Sequence, residues 1–600
     1  MKTATPLRSE IEKQYTWNAE SLFATPQAWE AEVENILKDL PTLKKFEGRL
    51  GNNADTLAEA LETQENLTAR MYRAYVYAGF SYSVDTTDQS AAAMQDRAQT
   101  VHGQLGAAAA FITPELLSIG RERLDGWVKD EARLEKYGHY IENLFRTQAH
   151  VRSAEVEEVL GMLADPFNGP SNTAGLLTNA DFKFRPARDA RGNEEEVSEA
   201  TFWRNMSDED RELRQSTWEN YMDKHLEFKN TLSSTLTTSI KQNVLTSRVR
   251  RYSSALEMAL FASDIPLDVY HNLIGTFKAH LPIWHRYFEI RRKALGVKTL
   301  ESYDMWAPLT ANRVKIPYEQ AVDWIAEGML PLGKDYVGVM REGCFEERWV
   351  DVYPNQGKRT GAFSWGAPGT HPFIMMAYTD EIFSLSTLAH ELGHSMHSYL
   401  TWKHQPLVYS DYSLFLAEVA SNFNQAMVRA HLLRSNPDRD FQISVIEEAM
   451  ANFYRYFFTM PTLARFELET HTRVEEGRPL TADTLINLMS DFFAEGYGDT
   501  VHLDQARVGM TWGYFPHLFS DYYVYAYATG LAGAHALAGR VLRAEPGAVE
   551  DYLGFLRSGS SAYPVEVLKK AGVDLTTPRP VEETFTIMAD YVDRLEKLLN

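Results

Sequence analysis

Apolar residues recur every three or four positions along most of this 600-residue chain. Such spacing places apolar side chains along one face of an α-helix. It predicts helices over 28–39, 56–82, 208–247 and 443–475, the last of them broken near Pro461, because proline removes a helical hydrogen bond. We therefore predict a mainly helical protein.

Segments that suit β-strands are few and short. Runs of β-branched and aromatic residues mark 181–185, 348–353 and 373–378 as strand candidates. Around the last of these, glycines and a proline divide the segment 357–378 into a turn, a strand, a second turn and a second strand. The sequence therefore predicts a small sheet.

Turn-forming residues are concentrated at 167–175, which has the sequence Phe-Asn-Gly-Pro-Ser-Asn-Thr-Ala-Gly. Such a concentration predicts a boundary between two parts of a fold. We therefore divide the chain into a helical lobe over 1–170, a hairpin or boundary segment over 171–200, and a region over 201–600 that holds the candidate chemistry.

The most informative pattern is His-Glu-Leu-Gly-His at 390–394, inside a predicted helix over about 384–402. Residues four apart on an α-helix lie on one face, so His390 and His394 can reach one metal ion. Glu391 would then stand beside the metal, where it can take a proton from a water molecule that zinc activates. The alternative is a surface helix with two solvated histidines.

A third metal ligand is expected on the next helical stretch, over about 413–433, because catalytic zinc usually takes three protein ligands. Glu418 lies there inside an apolar run, where acidic residues are rare unless they are paired or bound to metal. A turn through Pro406 would return Glu418 to the side of His390 and His394. We expect these three residues to hold one zinc ion per chain; the alternative is an exposed glutamate on an amphipathic helix.

Two further residues of the zinc helix need an interpretation. His397 lies seven residues after His390, on the same face, but three ligands from one straight helix cannot surround a tetrahedral metal. We therefore interpret His397 as a packing or neighbouring residue, with a candidate role in substrate binding. Gly393 costs the helix roughly 1 kcal/mol relative to alanine, which predicts that a strand or a peptide packs closely against it.

The runs Thr-Leu-Ala-His-Glu-Leu-Gly-His-Ser-Met-His-Ser (387–398) and Ala-Glu-Val-Ala-Ser (417–421) resemble the thimet-oligopeptidase superfamily of zinc peptidases, and within it the bacterial oligoendopeptidase F group. Other segments resemble that family in the same order along the chain: 15–23, 177–184, 357–366, 555–564 and 570–574. The resemblance extends over almost the whole length. It implies a two-lobed helical zincin-type peptidase with a small β-sheet beside the zinc helix and a deep substrate channel.

A tyrosine-rich segment over about 512–530 is the candidate for stabilising the transition state. Hydrolysis of an amide builds negative charge on the carbonyl oxygen, which a phenol or imidazole donor can hold. The resemblance places such donors at His517 and Tyr525, with Tyr522 as a further one, and we add Tyr527 as a candidate for substrate binding. The alternative is an ordinary buried aromatic helix.

The chain departs from the family pattern at three positions. Phe519 and Ser520 stand where tyrosines are common, which bears on which tyrosines act as donors. Gln425 stands where a glutamate often follows asparagine. That change concerns the surroundings of the metal ligands rather than the ligands themselves.

The glycine-containing segment 357–378 is not a phosphate loop, because no Gly-Lys-Ser/Thr closes it. An edge strand beside the zinc helix fits it better, and such an edge can take up a peptide through backbone bonds that do not depend on side chains. An ordinary structural hairpin is the alternative. Gly366 and Gly369 are where a loop over the substrate could hinge, and Gly366 is a candidate substrate-binding residue.

The composition of the chain limits which binding partners and which cellular compartment can be expected. The net charge of −22, from 82 acidic and 60 basic residues, disfavours nucleic acid and anionic membranes. A single cysteine, Cys344, excludes an internal disulfide and favours a reducing compartment. The first residues carry no apolar export segment, and no run of 18 uncharged apolar residues predicts a membrane span. We therefore expect a cytoplasmic protein, and the family resemblance implies short oligopeptides as its partners.

The function that these patterns favour is that of a zinc metallo-endopeptidase that hydrolyses internal bonds of short, unstructured peptides, with Glu391 as general base. Two alternatives stay open. A zinc carboxypeptidase or dipeptidyl carboxypeptidase would share the metal ligands but would need a cationic site for the substrate C-terminus. A catalytically inactive peptide-binding protein would have no need of Glu391.

Overall fold

The computed structural model describes residues 5–310 and 314–600. Helices dominate the described chain, and their bounds in chain order are α1 Pro26–Lys44, α2 Ala54–Val84, α3 Gln89–Ala109, α4 Ile112–Ile119, α5 Arg121–Asp130, α6 Gly138–Thr147, α7 Ala154–Phe167, α8 Gly169–Leu176, α9 Glu199–Met206, α10 Arg211–Glu227, α11 Lys229–Val249, α12 Ala255–Phe261, α13 Leu267–Ala279, α14 Leu281–Ala294, α15 Tyr318–Met329, α16 Lys334–Phe345, α17 Ile382–His404, α18 Leu414–Ser435, α19 Arg439–Phe453, α20 Met460–Glu475, α21 Ala482–Tyr497, α22 Gln505–Gly509, α23 Tyr525–Leu542, α24 Ala548–Leu556, α25 Pro564–Lys570 and α26 Arg579–Leu599. The strands are β1 Ala187–Arg188, β2 Glu194–Glu195, β3 Val350–Asp351, β4 Phe363–Trp365 and β5 Phe373–Met375. The mainly helical fold predicted from the sequence is confirmed.

The chain forms two compact units, each assembled from three separate stretches. Unit 1 comprises Met1–Ala149, Lys315–His431 and Leu537–Gly572. Unit 2 comprises His150–Val314, Leu432–Ala536 and Val573–Asn600. The sequence-based division into 1–170, 171–200 and 201–600 is linear, and as a statement about domains it stays a prediction.

The core of unit 1 joins its N-terminal helices to its sheet. The indole of Trp17 lies 4.5 Å from the ring of Phe80 on α2 and 5.2 Å from Phe373 on β5, as measured between ring centroids. Phe80 and Phe373 are completely buried. Burying three large rings together provides the apolar contact that fixes the sheet against α2.

The sheet of unit 1 has three strands in the order β3-β5-β4. β3 pairs with β5 in parallel, and β4 pairs with β5 in antiparallel register, with Ser364 opposite Ile374. Within this sheet β4 is an edge strand. The predicted succession of turn, strand, turn and strand over 357–378 is therefore confirmed, as is a strand within 348–353.

One local prediction was wrong, and a second segment has a local structure that its turn residues did not indicate. The candidate strand 181–185 is not a strand, since Leu177–Asp181 forms a π-helical turn that continues α8, and the nearest pairing is that of β1 with β2. The turn-rich segment 167–175 is largely helical, because Pro170 lies in the first turn of α8, where its missing N–H costs no hydrogen bond. Proline and glycine there mark a helix start rather than a loop.

Two long helical stretches predicted in unit 2 are interrupted. The predicted helix over 208–247 is two helices, α10 and α11, with Phe228 between them. The helix predicted to be kinked or broken at Pro461 does not end there: Tyr454–Thr459 forms a π-helical turn between α19 and α20, and Pro461 follows in the first turn of α20. Among the described residues, we find no helix that combines the length and apolarity needed to cross a membrane.

Candidate metal centre

Helices α17 and α18 touch at Gly393. A Cβ atom on Gly393 would lie 2.5 Å from the carbonyl oxygen of Ala420 and 2.6 Å from the Cα of Ser421, so only glycine permits this approach. The close packing predicted at Gly393 is confirmed, but its partner is a helix rather than a strand or a peptide. The contact brings Glu418, at the start of α18, to the side of the histidines of α17.

His390, His394 and Glu418 form one group. Their candidate ligand atoms all lie within 4.8 Å of one another, and each side chain is partly buried. The two Nε2 atoms are 3.2 Å apart, and Nε2 of His390 lies 3.5 Å from Oε2 of Glu418. Donors bound tetrahedrally to zinc lie about 3.4 Å apart, so two imidazoles and a carboxylate at these distances fit a single ion.

His394 is arranged to stay neutral. Burial and the neighbouring His390 together lower the pKa of His394 to about 4, with Glu418 acting in the opposite direction. A neutral imidazole keeps the nitrogen lone pair that a metal needs. The group is therefore ready to bind a cation without first releasing a proton from His394 near neutral pH.

Gln425 fixes the orientation of His390. Its Oε1 lies 3.1 Å from Nδ1 of His390, and its Nε2 donates to Oγ of Ser386 at 2.7 Å. Because the amide nitrogen is used by Ser386, the amide oxygen faces the ring, Nδ1 donates, and Nε2 keeps its lone pair for the metal. The departure from the family pattern at Gln425 thus falls on a direct neighbour of a ligand, seven residues after Glu418 on the same face of α18.

Ser421 was not identified from the sequence. Its Oγ donates to Oε2 of Glu418 at 3.1 Å, which helps to hold the carboxylate in place. The signal that would have identified it is its spacing, three residues after Glu418 on one helix face.

Glu391 is buried beside the group, with 5% of its surface exposed. Burial raises its pKa to about 7, and Glu418 adds to that, while His390 and the backbone N–H of Ser364 act in the opposite direction. Its Oε2 has no hydrogen-bond partner among the described residues. A carboxyl group with a pKa near neutrality can both accept and release a proton under physiological conditions.

Strand β4 lies directly against α17. Ser364 on β4 contacts Glu391 through its backbone, and its Oγ lies 2.8 Å from Oγ of Ser395 on α17. Gly366 follows at the end of the strand, where an added Cβ would lie 2.6 Å from the indole of Trp402. The small sheet beside the zinc helix is therefore confirmed, and neither serine had been identified from the sequence.

His397 does not join the ligand group. It is completely buried, its ring stacks on that of Tyr412 at 3.7 Å and 9°, and Phe555 lies 4.9 Å away. Burial lowers its pKa to about 3. The interpretation of His397 as a packing residue agrees with these contacts. A role in substrate binding would need the ring to become accessible, and it stays a prediction.

The tyrosine-rich segment belongs to unit 2. The ring of His517 lies 5.9 Å from Tyr523 and 5.8 Å from Tyr527, and the hydroxyl groups of these two tyrosines are 2.9 Å apart. The ring of Tyr527 also stacks on Tyr456, at 5.1 Å and 3°. Two of the predicted residues, His517 and Tyr527, therefore share one cluster with Tyr523, which the sequence had not singled out.

The other two predicted donors, Tyr522 and Tyr525, are buried against Tyr270, with ring centroids 5.6 and 5.2 Å from it. Tyr522 has a positive φ of 47°, which is rare for an aromatic residue. Its backbone N–H donates to Oε1 of Glu467 at 2.7 Å. The roles of His517, Tyr522, Tyr525 and Tyr527 in binding or catalysis stay predictions.

Comparison with known proteins agrees with this geometry. The model of the family described as Peptidase family M3 matches residues 204–587, and that described as Oligopeptidase F matches residues 115–184. Oligopeptidase PepF of Bacillus subtilis strain 168 is 38% identical over 595 residues, which cover 99% of this chain and 88% of that protein. Group B oligopeptidase PepB of Streptococcus agalactiae is 34% identical over 592 residues, which cover 99% and 98%.

A solved structure extends the comparison to three dimensions. The crystal structure of oligoendopeptidase-F from Enterococcus faecium matches with a TM-score of 0.74 at 30% identity, over 95% of this chain and 99% of that one. Family models, relatives and fold thus agree over nearly the full length. The chain therefore belongs to peptidase family M3, and with it to the metallo-oligopeptidases of the oligoendopeptidase F type.

Proposed function

We propose that the chain is a zinc-dependent oligoendopeptidase in which His390, His394 and Glu418 hold one zinc ion and Glu391 is the general base. The observation that carries the proposal is the placement of these three donor atoms within 4.8 Å of one another, next to a buried glutamate. Zinc, when bound there, supplies a Lewis acid that polarises a peptide carbonyl and acidifies water. Two nitrogens and one carboxylate oxygen are a ligand set that catalytic zinc uses elsewhere.

Glu391 carries the proton in this proposal. Its Oε2 has no partner in the described part of the chain and so is available to a water molecule, from which it takes a proton as that water attacks the carbonyl carbon. It then delivers the proton to the nitrogen of the leaving amine. A pKa near 7 suits both steps, and a bound cation would favour the ionised form from which the cycle starts.

We propose that the substrate backbone binds along strand β4. It is an edge strand of its sheet, and its central residue, Ser364, contacts Glu391. A peptide that adds to this edge would bind through its main chain, and its scissile bond would pass the general base. Recognition of this kind requires an extended, unfolded segment, which supports short and unstructured peptides as substrates.

The proposed donors to the oxyanion are His517 and Tyr525, with Tyr522 as a further one. Burial raises the pKa of both tyrosines above its usual range, so their hydroxyl groups stay protonated and able to donate. Burial and the positive charge of Arg455 lower the pKa of His517. It is therefore neutral at physiological pH, and only one of its ring nitrogens donates.

The cytoplasm is the proposed compartment. The only cysteine, Cys344, is buried, and burial raises the pKa of its thiol to about 12. A buried thiol that stays protonated is unreactive, which suits a protein without disulfides in a reducing environment.

The decisive experiment is mass spectrometry of peptides about 5 to 40 residues long after incubation with the full-length zinc-loaded protein. We expect internal cleavage that a chelator abolishes and added zinc restores. Stepwise loss from the C-terminus would instead favour the carboxypeptidase alternative. Intact peptides would favour a binding protein.

The matched variants are Glu391→Gln and Glu346→Gln, the second on an exposed residue of unit 1. Glu391→Gln should lower kcat at least about 100-fold while bound zinc and peptide affinity persist, because the amide cannot accept the proton. Glu346→Gln should behave as the wild type. Equal turnover by all three proteins would refute the role of Glu391.

A further inference from the structure

A cavity of about 610 Å³ lies within unit 1, beside the metal centre. Its walls come from α2, from the end of β4, from α17 and from the segment 407–412 that leads into α18. Gly366, a candidate substrate-binding residue, lines it, but neither the family resemblance nor the proposed chemistry says which substrate side chain the cavity would accept. Its volume is large enough for a long side chain of a bound peptide.

The cavity lies beside the part of α17 that follows His390 and His394. Ser398 and Trp402 line it, and they continue the stripe of every fourth residue that starts with His390 and His394 on α17. Ser398 lies one turn beyond His394 and Trp402 two turns, which is about 6 and 12 Å along the helix axis. An extended peptide advances about 3.3 Å per residue, so the cavity faces a substrate position about two to four residues from the scissile bond.

Aromatic rings form the walls, and two of them are held firmly. The indole of Trp365 follows Ser364 on β4 and packs on Gly79 of α2, where an added Cβ would lie 2.6 Å from the ring. The same indole meets Tyr75 edge-on at 5.6 Å. The indole of Trp402 is seated on Gly366 in the same way. These walls are therefore formed before any ligand arrives.

The charge of the lining is acidic. Among the described residues that line the cavity, the charged ones are Glu65 and Asp411, and none is a lysine or an arginine. Glu65 already pairs with Lys136 at 2.6 Å. Asp411 is exposed, accepts the backbone N–H of Tyr412 with one oxygen, and has no lysine or arginine nitrogen of the described chain within 4 Å.

One ring stands next to this free carboxylate. Tyr72 on α2 lines the cavity with 40% of its surface exposed, and the negative charge of Asp411 is close enough to raise its pKa further after burial has done so. Exposed aromatic faces beside an unpaired carboxylate attract a cation from both sides. The planar guanidinium of arginine suits such a site better than the ammonium of lysine, because it stacks on rings and pairs with both oxygens.

We propose that this cavity is a specificity pocket for a basic side chain of the substrate, with arginine preferred, and that Tyr72, Trp365 and Asp411 recognise it. The proposal rests on the proposed function, since β4 would carry the peptide backbone past Trp365. The net charge of −22 acts in the same direction by attracting cationic peptides.

The test uses neutral decapeptides in which one position at a time is arginine, lysine, glutamine or glutamate. With the zinc-loaded full-length enzyme, we expect one position, two to four residues from the cleaved bond, at which arginine raises kcat/KM about 10-fold over glutamine, mostly through KM. Lysine should give less and glutamate the least. An equal rate for arginine and glutamine at every position would overturn the proposal.

Two variants distinguish the contribution of the Asp411 charge to the arginine preference from that of the Tyr72 ring. Asp411→Asn keeps the acceptor for the N–H of Tyr412, and it should reduce the ratio of arginine to glutamine to about 2-fold. Tyr72→Leu should reduce the ratio by a smaller factor and leave glutamate disfavoured. The control is Asp335→Asn, on an exposed residue of α16 outside the cavity, which should keep the ratio. A full preference in Asp411→Asn would contradict the assigned role.

Binding separates this proposal from the proposed function. The affinity of the arginine and glutamine peptides for Glu391→Gln can be measured by fluorescence anisotropy, which needs no turnover. If the arginine peptide binds more tightly than the glutamine peptide, and adding Asp411→Asn removes that difference in affinity, the pocket is supported even if no peptide is cleaved. Equal affinities would reject the pocket even if every peptide were cleaved.

Discussion

Both units bury carboxyl groups, and they use them differently. In unit 1 Glu391 lies beside two histidines, and the backbone of Ser364 partly opposes the effect of burial on its pKa. In unit 2 Glu467 lies near a second acid, Asp521, whose negative charge adds to the effect of burial and raises the pKa of Glu467 well above its usual range. Burial alone therefore does not identify a catalytic acid or base.

The neighbours of each carboxyl group make the difference. Glu391 has an oxygen for which the described residues supply no partner, and it lies next to three potential metal ligands. Glu467 also has an oxygen, Oε2, without a partner among the described residues, but its Oε1 accepts the N–H of Tyr522 and supports a residue with positive φ, and His471 lies 3.5 Å from the nearby Asp521. The first arrangement suits proton transfer, and the second holds a turn of the tyrosine-rich segment in place.

The largest expected effect, on bound zinc and peptide cleavage, distinguishes the metal group from the buried carboxyl groups of Glu467 and Asp521. Glu418→Gln should lose the bound zinc and lower peptide cleavage at least about 1,000-fold, because a neutral amide is a poor ligand. Glu467→Gln should keep one zinc ion per chain, since its amide oxygen can still accept from Tyr522. Metal analysis by mass spectrometry together with kcat/KM checks both. Equal zinc content in the two variants would remove the contrast.

The next largest effect is on zinc affinity and concerns Gln425, the hydrogen-bond partner of His390. Gln425→Leu removes the acceptor at Nδ1 of His390 and should weaken zinc binding about 10- to 100-fold. Gln425→Glu keeps an acceptor there and should bind zinc at least as tightly as the wild type. Competition with a chromogenic chelator measures both affinities. Unchanged affinity in Gln425→Leu would show that His390 is oriented without this contact.

A glycine in each unit offers a comparison of packing. Gly393→Ala would place a methyl group against the backbone of α18 and should cost about 1–3 kcal/mol, even after the gain in helix propensity. Gly509→Ala in unit 2 would meet the carbonyl oxygen of Ile486 and should cost a similar amount. Only Gly393→Ala should also weaken zinc binding. Denaturation and zinc titration of both variants test whether the helix contact positions Glu418.

The two units also differ in how much of their structure and chemistry the sequence could predict. In unit 1 the spacing of His390 and His394 is imposed by a single helix, and Glu418 follows on the next helix, so the ligand group could be predicted. Gln425 could be noticed only as a departure from a family pattern. Ser364 and Ser395 could not be found, because they are 31 residues apart in the sequence and their contact depends on how the strand packs on the helix.

In unit 2 the chemistry was predicted by resemblance alone. Nothing in the spacing of Glu467 and Asp521 indicates that they lie close together, since one is on α20 and the other precedes α23. The segment 181–185 shows the same limit for the fold. Its residues suit a strand, but the ring of Phe182 packs on His225 and Phe228, and this tertiary contact outweighs strand propensity.

The smallest expected effect tests the burial of Asp521 through pH. Burial raises its pKa to about 7, and the negative charge of Glu475 adds to this, whereas the unfolded chain has a pKa of about 4. Between these values the folded state binds more protons than the unfolded state, so this group lowers stability as pH rises from 4 to 7. Asp521→Asn removes the effect, and its Tm relative to the wild type should be about 2–4 °C higher at pH 8 than at pH 5.

The control for this experiment is a carboxyl group shifted in the opposite direction. The guanidinium of Arg292 lowers the pKa of Glu289 to about 2, so its stabilising charge is present at both pH 5 and pH 8 and is lost only at more acidic pH. Glu289→Gln should therefore change Tm by the same amount at both pH values. If Asp521→Asn also gave a constant difference, Asp521 would be ionised in the folded protein, and the carboxyl groups of unit 2 would not share the raised pKa of Glu391.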